Sequence, residues 1–169
     1  MNHKFFLLFL LFLLFCASAG FAADGDFEKG DFWLCPSAET ALYSFSGHTY
    51  GGGFALGYGR GTSIGLKVTF FPTSDLEMGV NVMEINCLLR FYFSGNKAYS
   101  GSFIQFMGGP VLFLDEQSGV TIPSKVGVFS FGMGLGWRFL ILDRVFIEPC
   151  FRVGYPYILG AGLSLGVRF

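Results

Sequence analysis

The chain has 169 residues, of which 52% are hydrophobic, 19% aromatic and only 14% charged, and its formal net charge is −1 at pH 7. So little charge is unusual for a soluble domain, and the few dispersed basic residues argue against a surface that binds nucleic acid. After residue 22, no apolar run approaches the roughly 18 residues of a membrane-spanning helix. The apolar side chains must therefore alternate with small or polar ones along strands, which indicates a β-structured membrane protein.

The N-terminal segment 1–22 has the features of a secretory signal peptide. Lys4 supplies a positive start, residues 5–15 form an unbroken apolar run, and small-residue cleavage sites follow at Ala19 and Ala22. The apolar run is too short to span a bilayer, which takes about 20 helical residues. We therefore expect the segment to be removed on export.

A lipoprotein signal ending at Cys16 is the competing interpretation of this segment. Bulky Phe15 disfavours it, because that signal requires a small residue before the cysteine. We expect residues 23–169 to form one barrel domain.

Alternation of large apolar side chains with small or polar ones predicts eight strands. An even number of strands of this length fits an all-β, antiparallel, up-and-down transmembrane barrel. Trp33, Phe103 and Phe113 interrupt the alternation in two of the strands. The six regular strands cover residues 50–58, 64–70, 83–93, 129–139, 145–154 and 157–169, and the two less regular ones cover 32–42 and 104–114.

The last strand has the clearest pattern, and it ends on an aromatic residue. Its large apolar side chains occupy odd positions, with Ile158 the one exception, and glycine, serine and Arg168 lie between them. The odd positions are Tyr157, Leu159, Ala161, Leu163, Leu165, Val167 and Phe169.

This strand, behind a signal peptide, resembles the closing strand of the small eight-stranded outer-membrane barrels of diderm bacteria, the OmpA, OmpX and OmpW type. The resemblance implies a monomer in contact with outer-membrane lipids, whose last strand is read by the barrel-assembly machinery. It also places the C-terminus at the periplasm. The short connections 59–61, 94–97 and 142–144 are then periplasmic, and 44–48, 73–77, 115–124 and 155–156 are extracellular.

On this alternation a cluster of charged side chains points into the barrel. An eight-stranded barrel is just wide enough for side chains to fill it, so these charges must pair. Two interpretations follow: an ion-paired core that closes the barrel, or a narrow polar conduit in which inward glycines leave room for water. The cluster consists of Glu39, Lys67, Glu84, Arg90, Arg138, Glu148 and Arg152, with Arg168 as a further candidate.

Two more expectations concern the barrel wall. Outward aromatic residues should form girdles at the membrane interfaces, and the strand prolines should be accommodated by bulges. The predicted girdle residues are Tyr50, Tyr58, Phe93, Trp137, Tyr157 and Phe169, and the prolines are Pro36, Pro110 and Pro149.

The chain offers little for catalysis, cofactors or metals. After the signal, its one histidine is His48, in a predicted outer loop, where a solvated role is commoner than that of a general base. Residues 61–65 fit G-x-S-x-G, but no histidine follows them. Cys35, Cys87 and Cys150 have neither zinc-site nor disulfide spacing, although an inward Cys35–Cys150 pair is conceivable.

We therefore predict a non-enzymatic barrel with a structural, surface-interaction or narrowly conducting role, and without cofactor or metal. Two alternatives stay open: an enzyme that modifies lipid A or phospholipid using His48, and a soluble periplasmic ligand-binding barrel. The soluble barrel would require an apolar interior and a polar exterior.

Overall fold

The computed structural model describes residues 30–43, 47–72, 81–93, 100–115 and 122–169. Each strand pairs antiparallel with the next, and the last pairs with the first, so that the sheet closes into a barrel. The predicted fold class is confirmed. The strands are β1 Asp31–Tyr43, β2 Gly47–Gly59, β3 Thr62–Phe71, β4 Asn81–Tyr92, β5 Gly101–Asp115, β6 Ile122–Leu140, β7 Val145–Tyr155 and β8 Tyr157–Arg168.

The two ends of the barrel differ in what they carry. The terminal end holds Asp31, Arg168 and the connections that follow β2, β4 and β6; the distal end holds the connections that follow β1, β3, β5 and β7. The predicted signal peptide 1–22, the start of the domain at 23, and the connections 73–77 and 94–97 lie outside the described residues. No helix in the described ranges is long and apolar enough to cross a membrane.

Two predicted loops are shorter than expected. His48 belongs to β2, which begins at Gly47, and β6 begins at Ile122. β6 pairs with β7 only from Phe131 onward, so residues 122–130 have β5 as their paired neighbour among the described strands. The β5–β6 hairpin therefore reaches beyond β7 and β8 at the distal end.

The residues that interrupted the predicted alternation have separate explanations. Trp33 and Phe103 keep the alternation and point inward, with 2% and 1% of their surfaces exposed. Phe113 lies between two register shifts, at Val111/Leu112 and Phe113/Leu114, and packs partly buried against the core. The strand predictions hold there, and Trp33 and Phe103 share the inner face with the charged side chains.

Tyr157 corrects the predicted outer face of β8. It was expected among the outward girdle residues, but it is fully buried inside the barrel. Tyr43 pairs with Tyr157 and Leu42 with Leu159, so Ile158 is an extra residue in β8 and is 56% exposed. Such a bulge reverses the alternation of side chains, which is why Ile158 was the exception in the sequence pattern.

The strand prolines are accommodated by gaps in the ladder rather than by bulges at their own positions. Pro36 is paired on the β2 side, Pro110 on the β6 side and Pro149 on the β8 side. On the opposite side, the paired register of β1–β8, β4–β5 and β6–β7 skips each of them. Proline lacks a donor for one neighbour only, so a closed barrel tolerates it with one local gap.

Candidate functional site in the barrel interior

The predicted charged cluster lies inside the barrel. Its members range from fully buried Glu84 to Lys67, which is 8% exposed. Arg168 differs, since it lies at the terminal rim, 3.5 Å from Asp31, and its Nε donates to the Asp143 carbonyl over 2.8 Å. The buried residues are Glu39, Lys67, Glu84, Arg90, Arg138, Glu148 and Arg152.

Four of these side chains form a distal layer: Glu39, Lys67, Glu84 and Arg152. Arg152 Nη1 lies 2.6 Å from Glu84 Oε2, and its Nη2 lies 3.6 Å from Glu39 Oε2. Lys67 Nζ lies 2.5 Å from Glu39 Oε1. Two carboxylates therefore face two cations, and the distal layer carries no net charge. The contacts join β1, β3, β4 and β7 across the interior.

Neutral polar groups complete the surroundings of Glu84. The Tyr43 hydroxyl donates to Glu84 Oε1, and Asn86 Nδ2 donates to Glu84 Oε2 over 3.4 Å. Ser130 Oγ in turn donates to Asn86 Oδ1 over 2.6 Å. A buried carboxylate with several donors is held in one position, because each lost bond would leave a buried group unsatisfied.

The remaining three charged side chains form a terminal layer: Arg90, Arg138 and Glu148. Glu148 Oε1 accepts from Arg138 Nε, and its Oε2 accepts from Arg90 Nη1 over 3.0 Å. Arg90 Nε donates to Gln105 Oε1 over 3.0 Å. Both carboxylate oxygens are thus shared between two guanidinium groups. This layer carries one positive charge more than it carries negative.

Aromatic rings surround the cations of the terminal layer. Arg138 Cζ lies 3.9 Å from the ring centre of Phe146, while Arg90 Cζ lies 4.5 Å from that of Trp33 and 4.8 Å from that of Phe103. Each such cation–π contact contributes about 0.5–2 kcal/mol. These rings are not among the residues predicted for the cluster, although the interruption of the alternation at Trp33 and Phe103 was an available signal.

The distal end has its own group of rings. Tyr43 meets Phe71 and Tyr157 edge to face, with ring centres 5.6 and 6.5 Å apart. Arg152 Cζ lies 4.1 Å from the ring centre of Tyr157. The inward turn of Tyr157 at the β8 bulge therefore brings an aromatic face to the central cation of the distal layer.

Inward glycines receive these large side chains. A β-carbon on Gly136 would meet the Phe103 ring, and one on Gly166 would meet the Phe146 ring. At these positions an aromatic ring, rather than open lumen, occupies the space over the glycine. The same relation holds between Gly57 and Trp33, between Gly51 and Phe71, and between Tyr157 and both Gly132 and Gly154.

The cysteines do not form a site. Cys35 packs beside Gly166, and Cys150 is paired with Gly162, so the two thiols are four residues apart along β8. That separation of roughly 13 Å exceeds the reach of a disulfide. All three cysteines are free, and the described ranges contain no group of three or more His, Cys, Asp or Glu placed to hold a metal.

His48 lies on the outer face of β2, near the distal end. Its Nε2 is 2.7 Å from Thr40 Oγ1, and its ring packs edge to face on Tyr50, with ring centres 4.6 Å apart. Thr40 Oγ1 donates to the Thr49 carbonyl over 3.0 Å. The direction of the His48–Thr40 hydrogen bond depends on the tautomer of His48.

Solved structures give the comparison that identifies the architecture. No family model matches the chain, and no curated protein matches it. Neisserial surface protein A (NspA) is 15% identical, with a TM-score of 0.62, over 82% of this chain and 95% of that one.

This chain has the fold of small outer-membrane β-barrels. The N-terminal barrel of OprF from Pseudomonas aeruginosa is 15% identical, with a TM-score of 0.52, over 83% of this chain and all of that one. Outer membrane protein W of E. coli is 15% identical, with a TM-score of 0.53, over 85% and 100%. At these identities the likeness establishes the fold.

The packing of rings over glycines predicts a position-specific effect of adding one methyl group. Gly136→Ala and Gly166→Ala should each destabilise the barrel by about 1–3 kcal/mol, since the new β-carbon displaces a packed ring. Gly52→Ala is the matched control in β2: its β-carbon faces outward and makes only an ordinary contact, 3.6 Å from the Ser37 carbonyl. Urea unfolding of the barrel in lipid vesicles measures all three.

A second substitution identifies the ring as the cause. Phe103→Leu combined with Gly136→Ala should cost less than the sum of the two single changes, because leucine vacates the space that the methyl group needs. Equal losses for Gly52→Ala and Gly136→Ala, or strict additivity, would contradict this packing.

The ion pairs predict a contrast between the interior and the rim. Glu84→Gln leaves Arg152 partly unpaired in a buried site, where removing one partner costs about 3–5 kcal/mol. Asp31→Asn breaks the exposed rim pair with Arg168, which contributes no more than about 1 kcal/mol. The free energy of unfolding measures both; a larger loss for Asp31→Asn would refute the assigned roles.

Proposed function

We propose that this chain is an integral outer-membrane barrel with a closed interior, which acts as a membrane-anchored scaffold rather than as a pore or an enzyme. The terminal end would face the periplasm and the distal end the outside of the cell.

The polarity of the wall supports the membrane location. Leu135, Phe151 and Leu163 on the outer face are 62%, 65% and 51% exposed, while the predicted charged cluster is buried. A soluble ligand-binding barrel would need the reverse polarity. In water this outer face would be an aggregation surface, whereas in a bilayer it is the required contact with acyl chains.

The filling of the interior carries the proposal of a closed barrel. Between the distal rings and the terminal rings, each charged layer reaches across the barrel, and aromatic, ion-paired or other polar side chains lie over the inward glycines. A polar conduit would need a continuous path of water past both layers. The side chains packed over the inward glycines therefore support a closed interior.

A closed barrel acts through its outer face and its rims. The β5–β6 hairpin extends beyond β7 at the distal end, since β6 continues for residues 122–130 beyond its pairing with β7. In the proposed orientation this hairpin stands outside the cell. NspA, by its name a surface protein, has the same fold, which supports a role in presenting the distal connections.

Current recording in planar bilayers tests the closed interior. The protein should require detergent for extraction from the outer-membrane fraction, and after reconstitution it should give no discrete current steps. A double variant, Trp33→Gly with Phe103→Gly, removes two rings beside the terminal layer and should produce steps, which shows that the assay detects an opened barrel.

The membrane location and the closed interior can be refuted by different results. Recovery of the protein in the periplasmic fraction without detergent would refute the membrane location. Regular current steps from the unaltered protein would refute the closed interior and favour the narrow conduit.

The enzyme alternative depends on His48, which lies near the Thr40 hydroxyl on the outer face. Because His48 packs against the Tyr50 ring on the outer face, a solvated structural role is the simpler one, and His48→Ala should leave the lipid A and phospholipid profiles of an expressing strain unchanged. Thr40→Ala is the companion variant, since a catalytic pair would lose activity with either change. A lipid species that disappears in both variants, with folded barrel in the membrane, would overturn the non-enzymatic assignment.

A further inference from the structure

The two charged layers of the interior differ in charge balance. In the distal layer Glu39 and Glu84 match Lys67 and Arg152, whereas in the terminal layer Glu148 alone faces Arg90 and Arg138. The nearby ion pair at the rim, Asp31 with Arg168, has no net charge. The described interior thus contains one cation that no carboxylate matches, in a chain whose formal net charge is −1.

We propose that the terminal layer binds a small monovalent anion of the halide class beside Arg90 and Arg138. A buried unmatched charge is strongly unfavourable unless a counter-charge accompanies it. Aromatic faces attract a cation but accept no hydrogen bond from the edge of a guanidinium in the way that an anion does. The rings therefore neither neutralise the surplus positive charge nor accept hydrogen bonds from the donors of this layer.

Buried donors of the terminal layer support the site independently of the charge count. Arg138 Nη2 and Trp33 Nε1 have no hydrogen-bond partner in the described chain, and their residues are 3% and 2% exposed. Ser63 Oγ is a third buried donor without a hydrogen-bond partner in the described chain. Ser63 lies on β3 directly opposite Arg90 of β4 in the strand register. An arginine edge, an indole N–H and a hydroxyl are all groups that donate to anions.

Trp33 offers a direct optical report of occupancy. Its ring centre lies 4.5 Å from Arg90 Cζ and 5.5 Å from Arg138 Cζ, so an anion held by either guanidinium lies close to the indole. The other tryptophan, Trp137, is on the outer face and 48% exposed. Trp137→Phe therefore leaves one tryptophan in the chain, at the proposed site.

The experiment titrates iodide, a quencher of indole fluorescence, into the Trp137→Phe protein extracted from membranes in detergent, at constant ionic strength. Trp33 is too buried for collisional quenching. We expect quenching that saturates with iodide concentration and that chloride reverses by competition.

Gln105→Glu tests whether the unmatched charge causes the binding. Gln105 Oε1 already accepts from Arg90 Nε over 3.0 Å, so a glutamate of nearly the same shape would supply the missing negative charge internally. We expect iodide affinity to fall at least roughly tenfold, which corresponds to the loss of one charge-assisted contact. Arg144→Gln is the control: it changes the net charge equally, at an exposed turn position.

Each outcome decides the proposal. Saturable quenching that Gln105→Glu weakens and Arg144→Gln preserves supports an anion site. Absent quenching, linear quenching, or equal saturation in Gln105→Glu overturns it, and the donors are then satisfied by water. This inference rests on the proposed closed interior, because exclusion of bulk water is what makes the unmatched charge unfavourable. The two failures are distinguishable: current steps test whether the barrel conducts, and the saturation curve tests whether the terminal layer binds an anion.

Discussion

Three buried carboxylates connect the strands of this barrel across its interior. Glu39, Glu84 and Glu148 each contact one or two cations on other strands. The interior of a sheet closed from eight strands is just wide enough for side chains to fill, so the charges that share it must pair. Because side chains alternate between the two faces of each strand, the charged groups in the interior leave the apolar side chains on the outer face. The distribution of polar and apolar side chains between the interior and the outer wall therefore follows from one constraint: ionised groups inside a narrow barrel must form ion pairs.

Shape complementarity is the second condition, and glycine supplies it. The interior holds both long ion-paired side chains and broad rings, and both occupy the space over inward glycines of β2, β6, β7 and β8: Arg152 over Gly160, and the Phe146 ring over Gly166. Glycine has no side chain to fill a core, and in a strand it weakens β-structure. Here it permits a large side chain to lie over the adjacent strand: Phe146 is paired with Gly166 and Arg152 with Gly160, so the large side chain of one strand and the glycine of its neighbour form a single packing unit.

The strand order, the closure and the buried cluster were predictable because period-two alternation is a local property that survives in each strand. Trp33 and Phe103 follow the alternation onto the inner face, but their contacts with Arg90 were not predictable, because cations in a narrow space pack against rings as well as against carboxylates. Tyr157 was misplaced because a bulge at Ile158 reverses the alternation, and a single unpaired residue is visible only in the register between β1 and β8.

Arg168 follows the alternation but lies at the rim, since alternation specifies a face of the sheet and not the depth of a side chain along the barrel axis. The pairing of Glu84 with Arg152, 68 residues apart, depends on closure.

The position of a residue along the barrel axis determines whether it can contact other molecules. The layers and rings occupy the middle, so in the proposed orientation contact with other molecules falls to the distal connections, the terminal rim and the apolar wall. The distal layer is balanced and needs no partner from outside. The terminal layer has a surplus cation next to the rim that carries Asp31 and Arg168, where an ion would travel the shortest distance to reach it. The proposed closed interior and the proposed counter-ion thus depend on the same arrangement: packing that excludes bulk water would also make an unmatched guanidinium unfavourable enough to retain an anion.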